Sequence, residues 1–597
     1  MTGLTTTIQA AAAAAIQDLY QVQIPAGDLV LQETKREFEG DFTLVVFPLT
    51  RYKLGNPQQI GEALGAALLA RVDAIESFNV IKGFLNLKIA DSWWLHFLAH
   101  ARQMPDFFRL GDGAGQTVVV EYCSPNTNKP LHLGHLRNIV LGHALCQLLD
   151  ACGYRVIPTC LFNDRGTNIS KSMYAWQVAG KGDTPASAGT KGDKLVGDYY
   201  VAFARMLARE VGALQEQGLS KAEAEKQAPS MQAVHEMTLR WEAGDPDIRQ
   251  LWAEMNGWVY AAFEQTFGRL GVHFDRYFYE SEVYLRGKET VAEGLEKGVF
   301  FRDESGSVLV DLTAEGLDTK VLLRSNGTSL YITQDLAIAA DKYEAYRMDK
   351  SIYVVGNEQD YHFNVLFKVL EKLEKPYARG LYHLSYGMVD LPSGKMKSRE
   401  GTTVEADDLM DEMVATAAAE TLKLGKTEGM QPEALQRLYE VLGIGALKFF
   451  LVKVDPKKRM LFDPAESIDM HGHTGPFIQS SYTRTASIIR KAGEAAPVFD
   501  ASLPLDEPLL ESERNLLRMI FRYREVLREA ASSYNPSLIA NYCYELAREY
   551  NRFYHEAPVL RADSPQTSAF RFALSAFVGQ TLREGMRLLG IDMPERM

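Results

Sequence analysis

Cysteine is scarce in this 597-residue chain: Cys123, Cys146, Cys152, Cys160 and Cys543, with no Cys-x-x-Cys pair among them. Five scattered thiols exclude a disulfide framework and a zinc knuckle. They suit a reducing compartment, so a cytoplasmic location is expected. No run of about 18 apolar residues occurs, so no helical membrane span is expected. The first twenty residues carry no basic stretch before their alanines, and they read as a helix rather than a targeting segment. Positive charge is also in short supply. The formal net charge is −13, which on composition alone counts against a nucleic-acid binder. Lysine disappears after Lys491, and from Glu511 onward 12 arginines stand against 11 acidic residues. Those arginines are either solvated helix faces with partners four residues away or a local stripe for phosphates and bases. Composition leans to the first.

Against these absences stands one dense stretch, Glu121 to Asn138, reading EYCSPNTNKPLHLGHLRN. The β-branched run Val118-Val119-Val120 precedes it and the helical pattern IVLGHALCQLLDACG follows. His132 and His135 are three apart with Gly134 between them, and Lys129 lies three residues upstream. Two imidazoles at i and i+3 on a first helical turn point the same way. A helix start offers unpaired N–H groups and the positive end of the dipole. Strand, turn, histidines and lysine together make a phosphate-handling device. A lone His-x-x-His is more often a satisfied pair on a helix; the flanking Ser124-Pro125-Asn126, Lys129-Pro130 and Leu136-Arg137 argue otherwise.

A second phosphate signal is LPSGKMKSREGTTV, Leu391 to Val404. Lys395, Lys397 and Arg399 lie among glycines in a loop, where free backbone and cations suit phosphate oxygens. Alone, such a loop is more often a solvated turn. His471-Gly472-His473 is set aside as a metal site, because no cysteine or third clustered histidine accompanies it.

The first stretch resembles the HIGH signature of class I aminoacyl-tRNA synthetases, in the longer form S-P-N-x-x-K-P-x-H-x-G-H-L-R of arginyl-tRNA synthetases. The lysine loop resembles the KMSKS element, with Ser398 where the usual second lysine stands and Lys129 as its substitute. The resemblance implies adenylate formation from ATP and Mg2+, then transfer to the 3′-terminal ribose of tRNA-Arg. It places His132, His135, Lys129, Lys395, Lys397 and Arg399 in catalysis, and Gly134, Met396 and Ser398 against the nucleotide. It makes Glu121, Ser124, Asn126, Tyr331, Asp335 and Gln359 the ligands of L-arginine, the tyrosine and aspartate through Tyr331-Ile332-Thr333-Gln334-Asp335. Thr333 reads as a cap for that helix. No resident metal is implied, and a monomer without membrane contact is expected. Two rivals are another nucleotidyltransferase of the same superfamily, either a synthetase for a different amino acid or a small-metabolite adenylyltransferase, the latter needing no anticodon bundle, and a tRNA-binding module with a decayed site.

Alternating strands and helices imply a parallel, helix-covered sheet. The expected fold is α/β: a Rossmann-like catalytic core at 116–460 with a polar helical insertion at about 177–286, an N-terminal α+β unit at 1–108, and a C-terminal all-α bundle at 461–597. The N-terminal pieces GDFTLVVFPLTR and VIKGFLNLKI resemble the family's extension, which touches the tRNA elbow. IGALKFFLVK resembles the DALR element that opens the anticodon bundle.

Overall fold

The computed structural model describes residues 3–35, 37–284, 286–325, 330–390, 404–423 and 429–597. The N-terminal unit is an antiparallel sheet, order β1-β2-β4-β3, of β1 (Leu31–Glu33), β2 (Phe42–Val45), β3 (Ile75–Ile81) and β4 (Phe84–Ile89). Helix α1 (Leu4–Tyr20) packs on α2 (Pro57–Arg71), which covers the sheet, and α3 (Asp91–Gln103) follows. The central strands β2 and β4 are mostly buried. Leu44 faces Leu85 across the β2–β4 ladder, and both are fully buried.

Next comes a five-stranded, wholly parallel sheet of β5 (Thr117–Glu121), β6 (Arg155–Phe162), β7 (Arg276–Tyr279), β11 (Lys350–Gly356) and β12 (Leu381–Tyr386). Between β7 and β11 the chain adds a small antiparallel sheet, β8 (Phe300–Arg302), β9 (Val308–Val310) and β10 (Lys320–Leu323). The parallel order is β12-β11-β5-β6-β7. From β5 the chain proceeds outward through β6 to β7, then returns to the other side of β5 with β11. The crevice between the carboxyl ends of β5 and β11 is therefore the switch point where such sheets bind ligands.

The chain fills the face of this sheet with α4 (Leu133–Ala151), most of whose residues are buried. A helical layer follows: α5 (Thr167–Ala179), α6 (Gly192–Glu216), α7 (Pro229–Glu242) and α8 (Pro246–Arg269). The expected insertion to Arg286 thus ends early, because Arg276–Tyr279 rejoins the core sheet as its edge strand. That four-residue aromatic strand carries no β-branched run to signal it. Longer helices beyond this layer include α9 (Tyr331–Tyr346), α10 (Asp360–Lys372), α11 (Ala406–Lys423), α12 (Pro432–Val452) and the bundle α13 (Gly475–Ala492), α14 (Glu511–Ser532), α15 (Ser537–Glu556) and α16 (Pro565–Leu588).

The arginines of α14 follow neither expectation. Arg514, Arg518 and Arg522, spaced by four, share one face, and that face is turned to the N-terminal unit. Arg514 donates to Asp41 at 3.1 Å, to the Ile89 carbonyl at 2.9 Å and to Asp91. Arg518 donates to the Gly40 carbonyl and Arg522 to Glu33. Phe521 on the same helix inserts among Phe42, Trp93, Trp94 and Phe97. These arginines are a clamp between units. All five cysteines are free and buried.

Candidate active site

Helix α4 opens on the histidines. His132 is its N-cap, in extended backbone geometry. The Nδ1 of His132 accepts the Gly134 N–H at 3.1 Å, and the Nδ1 of His135 accepts the His132 N–H at 3.1 Å. Two imidazoles thereby do what Ser and Glu do in an ordinary capping box. With both Nδ1 atoms accepting, a neutral ring carries its proton on Nε2. Both rings are neutral: burial and then the Lys129 charge lower the His132 pKa to about 4. Burial, His132 and Lys129 hold His135 well below the usual value. The result is two Nε2–H donors, with ring centroids 3.9 Å apart, beside a lysine and a helix start. The Gly134 N–H is consumed by the cap, so it is not a free phosphate donor. Its missing side chain matters instead, because a Cβ there would meet the His132 ring at 3.0 Å.

Residues 391–403 fall outside the described structure, and with them Lys395, Met396, Lys397, Ser398 and Arg399. The flanks of that segment are described. Downstream, the Leu133 N–H donates to the Val404 carbonyl and the Ala406 N–H to the Leu131 carbonyl, with His132 and Glu405 bridged between them. Upstream, Val389–Asp390 pairs in parallel with Met460–Leu461. Arg137, fully buried in α4, donates to the carbonyls of Met388, Pro456 and Lys458. Both flanks are thus tied to the helix that carries the histidines.

At the switch point lies an open cavity of about 730 Å³. Its wall includes all six expected amino-acid ligands: Glu121 at the end of β5, Ser124 and Asn126 past it, Tyr331 and Asp335 on α9, and Gln359 past β11. The loop after β5 is pinned to β6, since Asn126 bridges Asn163 and the Asn163 amide donates to the Ser124 carbonyl at 3.1 Å. Tyr331, 75% exposed, is the first residue of α9, and Asp335 follows one turn later. Thr333 does not cap that helix. It is buried, and its hydroxyl donates to the Leu322 carbonyl.

Three wall features carry no local sequence signal. The Glu121 carboxylate is paired at 2.7 Å with Lys342, a fully buried lysine of α9 whose ammonium sits 4.1 Å over the Tyr353 ring. Burial works against that ammonium, and Glu121 and Tyr353 together more than offset it, leaving the pKa above its usual value. Asp335 Oδ2 lies 2.6 Å from His362 Nε2. Glu280, beyond β7, is pushed by burial up to about 7, against the pull of Arg165 and of a Gln334 hydrogen bond. The cavity therefore gathers four carboxylates, Glu121, Glu242, Glu280 and Asp335, together with polar loop groups that suit an amino acid's zwitterionic end.

Such a sheet, with a histidine-capped helix at one strand end and an acid-lined cavity at the switch point, is the architecture of a class I tRNA synthetase catalytic domain. The family described as tRNA synthetases class I (R), catalytic domain, matches residues 106–463. The DALR anticodon binding domain matches 478–597, and the arginyl tRNA synthetase N terminal domain 6–89. The arginine–tRNA ligase of Bacteroides fragilis is 51% identical, with 98% of each chain covered. That of Parabacteroides distasonis is 50% identical, with 99% of each covered. The arginyl-tRNA synthetase structure of Thermus thermophilus shares the fold at a TM-score of 0.76, with 24% identity and both chains fully covered. The chain belongs to the arginine–tRNA ligase family, whose members are ATP-dependent ligases.

Proposed function

We propose that this chain activates L-arginine with ATP and transfers it to the 3′-terminal ribose of tRNA-Arg. One observation carries the reading within the family: six residues from three separate stretches converge on one acid-lined cavity at the switch point. In this reading Asp335, Tyr331 and Glu280 receive the guanidinium, while Asn126, Ser124 and Gln359 hold the α-amino and carboxylate end. Glu121, already paired with Lys342, shapes the wall. The arginine carboxylate oxygen bonds to the α-phosphorus of ATP and the bond to pyrophosphate breaks. His132 and His135 donate from Nε2 to the phosphoryl oxygens, and Lys129 adds charge where negative charge develops. Lys395, Met396, Lys397, Ser398 and Arg399 embrace the triphosphate by family resemblance. Among the described residues no cluster of three His, Cys, Asp or Glu side chains is placed to hold a metal. Mg2+ in this reading arrives on the triphosphate, and no residue is assigned to it. The ribose oxygen of tRNA then attacks the adenylate carbonyl, releasing AMP.

The bundle reads the anticodon, the N-terminal unit meets the tRNA elbow, and the enzyme works as a cytoplasmic monomer. Among the described helices none is long and apolar enough to cross a membrane. The deciding experiment is a tRNA-charging assay with a panel of amino acids on the full chain. Arginine alone should be charged, and Asp335→Ala should raise the arginine KM at least tenfold with ATP KM little changed. Charging of a different amino acid would remove the assignment. Activation should also need tRNA, so ATP–pyrophosphate exchange with arginine alone should stay near background.

A further inference from the structure

His362 stands on the first turn of α10, three residues past Gln359. Its Nε2 reaches across to Asp335 Oδ2 on α9 at 2.6 Å. Both side chains line the cavity and both are partly open to it. The imidazole is set edge-on to Phe363, which itself stacks on His383 at 4.4 Å, so packing restrains the ring. A carboxylate offers about four lone-pair directions over two oxygens, and a guanidinium fork takes two parallel ones. His362 occupies one direction on Oδ2. Oδ1 and the remaining lone pair of Oδ2 are left for the fork, in a plane that the histidine sets.

We propose that His362 is a positioning residue for amino-acid selection: it sets the Asp335 carboxylate plane for a guanidinium and gives its proton to solvent when that cation binds. The inference rests on the cavity being the arginine site. The two forms of the ring act oppositely. A neutral ring donates Nε2–H and leaves Asp335 its full charge; an imidazolium neutralises Asp335 and repels the incoming cation. Burial lowers the proton affinity of His362, the Asp335 hydrogen bond and charge raise it, and the net lies above the usual histidine value. The Asp335 contact therefore favours the protonated ring over a free imidazole, and a second cation on the same carboxylate opposes it. Other charged groups face the pair. Glu242, Glu280, Arg165 and Arg324 line the same cavity, as does Glu121 with its partner Lys342, and His383 and Asp360 flank the histidine. Glu280, pushed up to about 7, also favours a guanidinium as pH rises, so it needs its own variant. Burial lowers His383.

The test is calorimetric titration of arginine into the full chain holding a non-hydrolysable ATP analogue, in buffers of different ionisation heat. Wild type and Glu280→Gln should both release protons at pH 6.5 to 7, and wild-type affinity should rise about tenfold from pH 6 to 8. His362→Gln keeps an N–H for Asp335. It should bind arginine within about threefold of wild type at pH 8, with the His362 share of proton release and pH dependence gone. His362→Phe should weaken arginine about tenfold or more at every pH, with analogue affinity unchanged to show an intact fold. Equal proton release in wild type and His362→Gln, or wild-type affinity in His362→Phe, overturns the inference. If arginine gives no heat while another amino acid is bound and charged, the cavity reading falls, and the inference with it.

Discussion

At the residue scale the histidine pair shows how a motif can be structural and chemical at once. Each Nδ1 closes a cap, and each Nε2–H is thereby aimed outward. Neutrality follows from burial and Lys129, which has a consequence for pH. The native pKa of His132, about 4, lies below the unfolded value near 6.5, so the native state binds fewer protons. Its contribution is full above pH 6.5 and is lost as pH falls toward 4, at about 1.4 kcal/mol per pH unit. Denaturant unfolding at pH 7 and pH 5 should show His132→Gln losing less stability on acidification than wild type, by about 2 kcal/mol. An equal loss in both would mean that His132 is charged in the native chain. The pair was legible because strand, turn and helix signals met at one place. Lys342, His362 and Glu280 were not, because each acquires its role from a partner distant in sequence: Glu121, Asp335 and Arg165. A lysine or histidine on an amphipathic helix looks the same whether it faces water or a buried carboxylate.

At the element scale, periodicity served well where burial is regular. The runs at β5, β6 and β11 and the helices of the bundle are continuous apolar patterns, and the sequence reads them within a few residues. The edge strands β7 and β12, rich in aromatics and histidine, and the β8–β10 hairpins are short, so local pattern carried little. The face of α14 is the instructive case. Arginines at spacing four look like i,i+4 partners or a phosphate stripe, and nothing local says that the carboxylates belong to another unit. Asp41 is fully buried, and burial raises its pKa even against Arg514 and Arg518. Breaking a buried pair from one side leaves an uncompensated charge. Arg514→Ala should therefore destabilise the full chain by about 3–5 kcal/mol, and Asp41→Ala by a similar amount. Their double variant should cost clearly less than the sum, with a coupling energy of at least about 1 kcal/mol. Additive losses in a denaturant double-mutant cycle would show that the clamp is decorative. Part of the bundle's positive charge is thus paired within the protein and is not available to a polyanion.

At the scale of the whole molecule, α4 joins the site to the bundle. Its first turn carries His132 and His135, and its body and last turns pack on α12, α14 and α16. Gln147 of α4 accepts from Arg587 of α16, and Cys152 just past α4 meets the Leu527 carbonyl of α14. A contiguous core runs through this helix from the N-terminal unit to α16, so one element joins the bundle to the histidines. The seam has a sensitive point. Gly590 follows α16 at φ +69°, and an added Cβ would lie 2.7 Å from His143 of α4, while the Gly590 carbonyl accepts from the buried Lys448 of α12. Gly218 shares a positive φ of +95° but has open space around it. Gly218→Ala measures backbone strain alone, about 1 kcal/mol. Gly590→Ala adds overpacking and should cost about 3 kcal/mol in denaturant unfolding of the full chain. If α4 transmits the bundle's state, Gly590→Ala should also lower the tRNA-dependent activation rate severalfold at saturating arginine and ATP, and Gly218→Ala should not. A Gly590→Ala chain that is destabilised yet activates arginine at the wild-type rate would confine α4 to holding the molecule together.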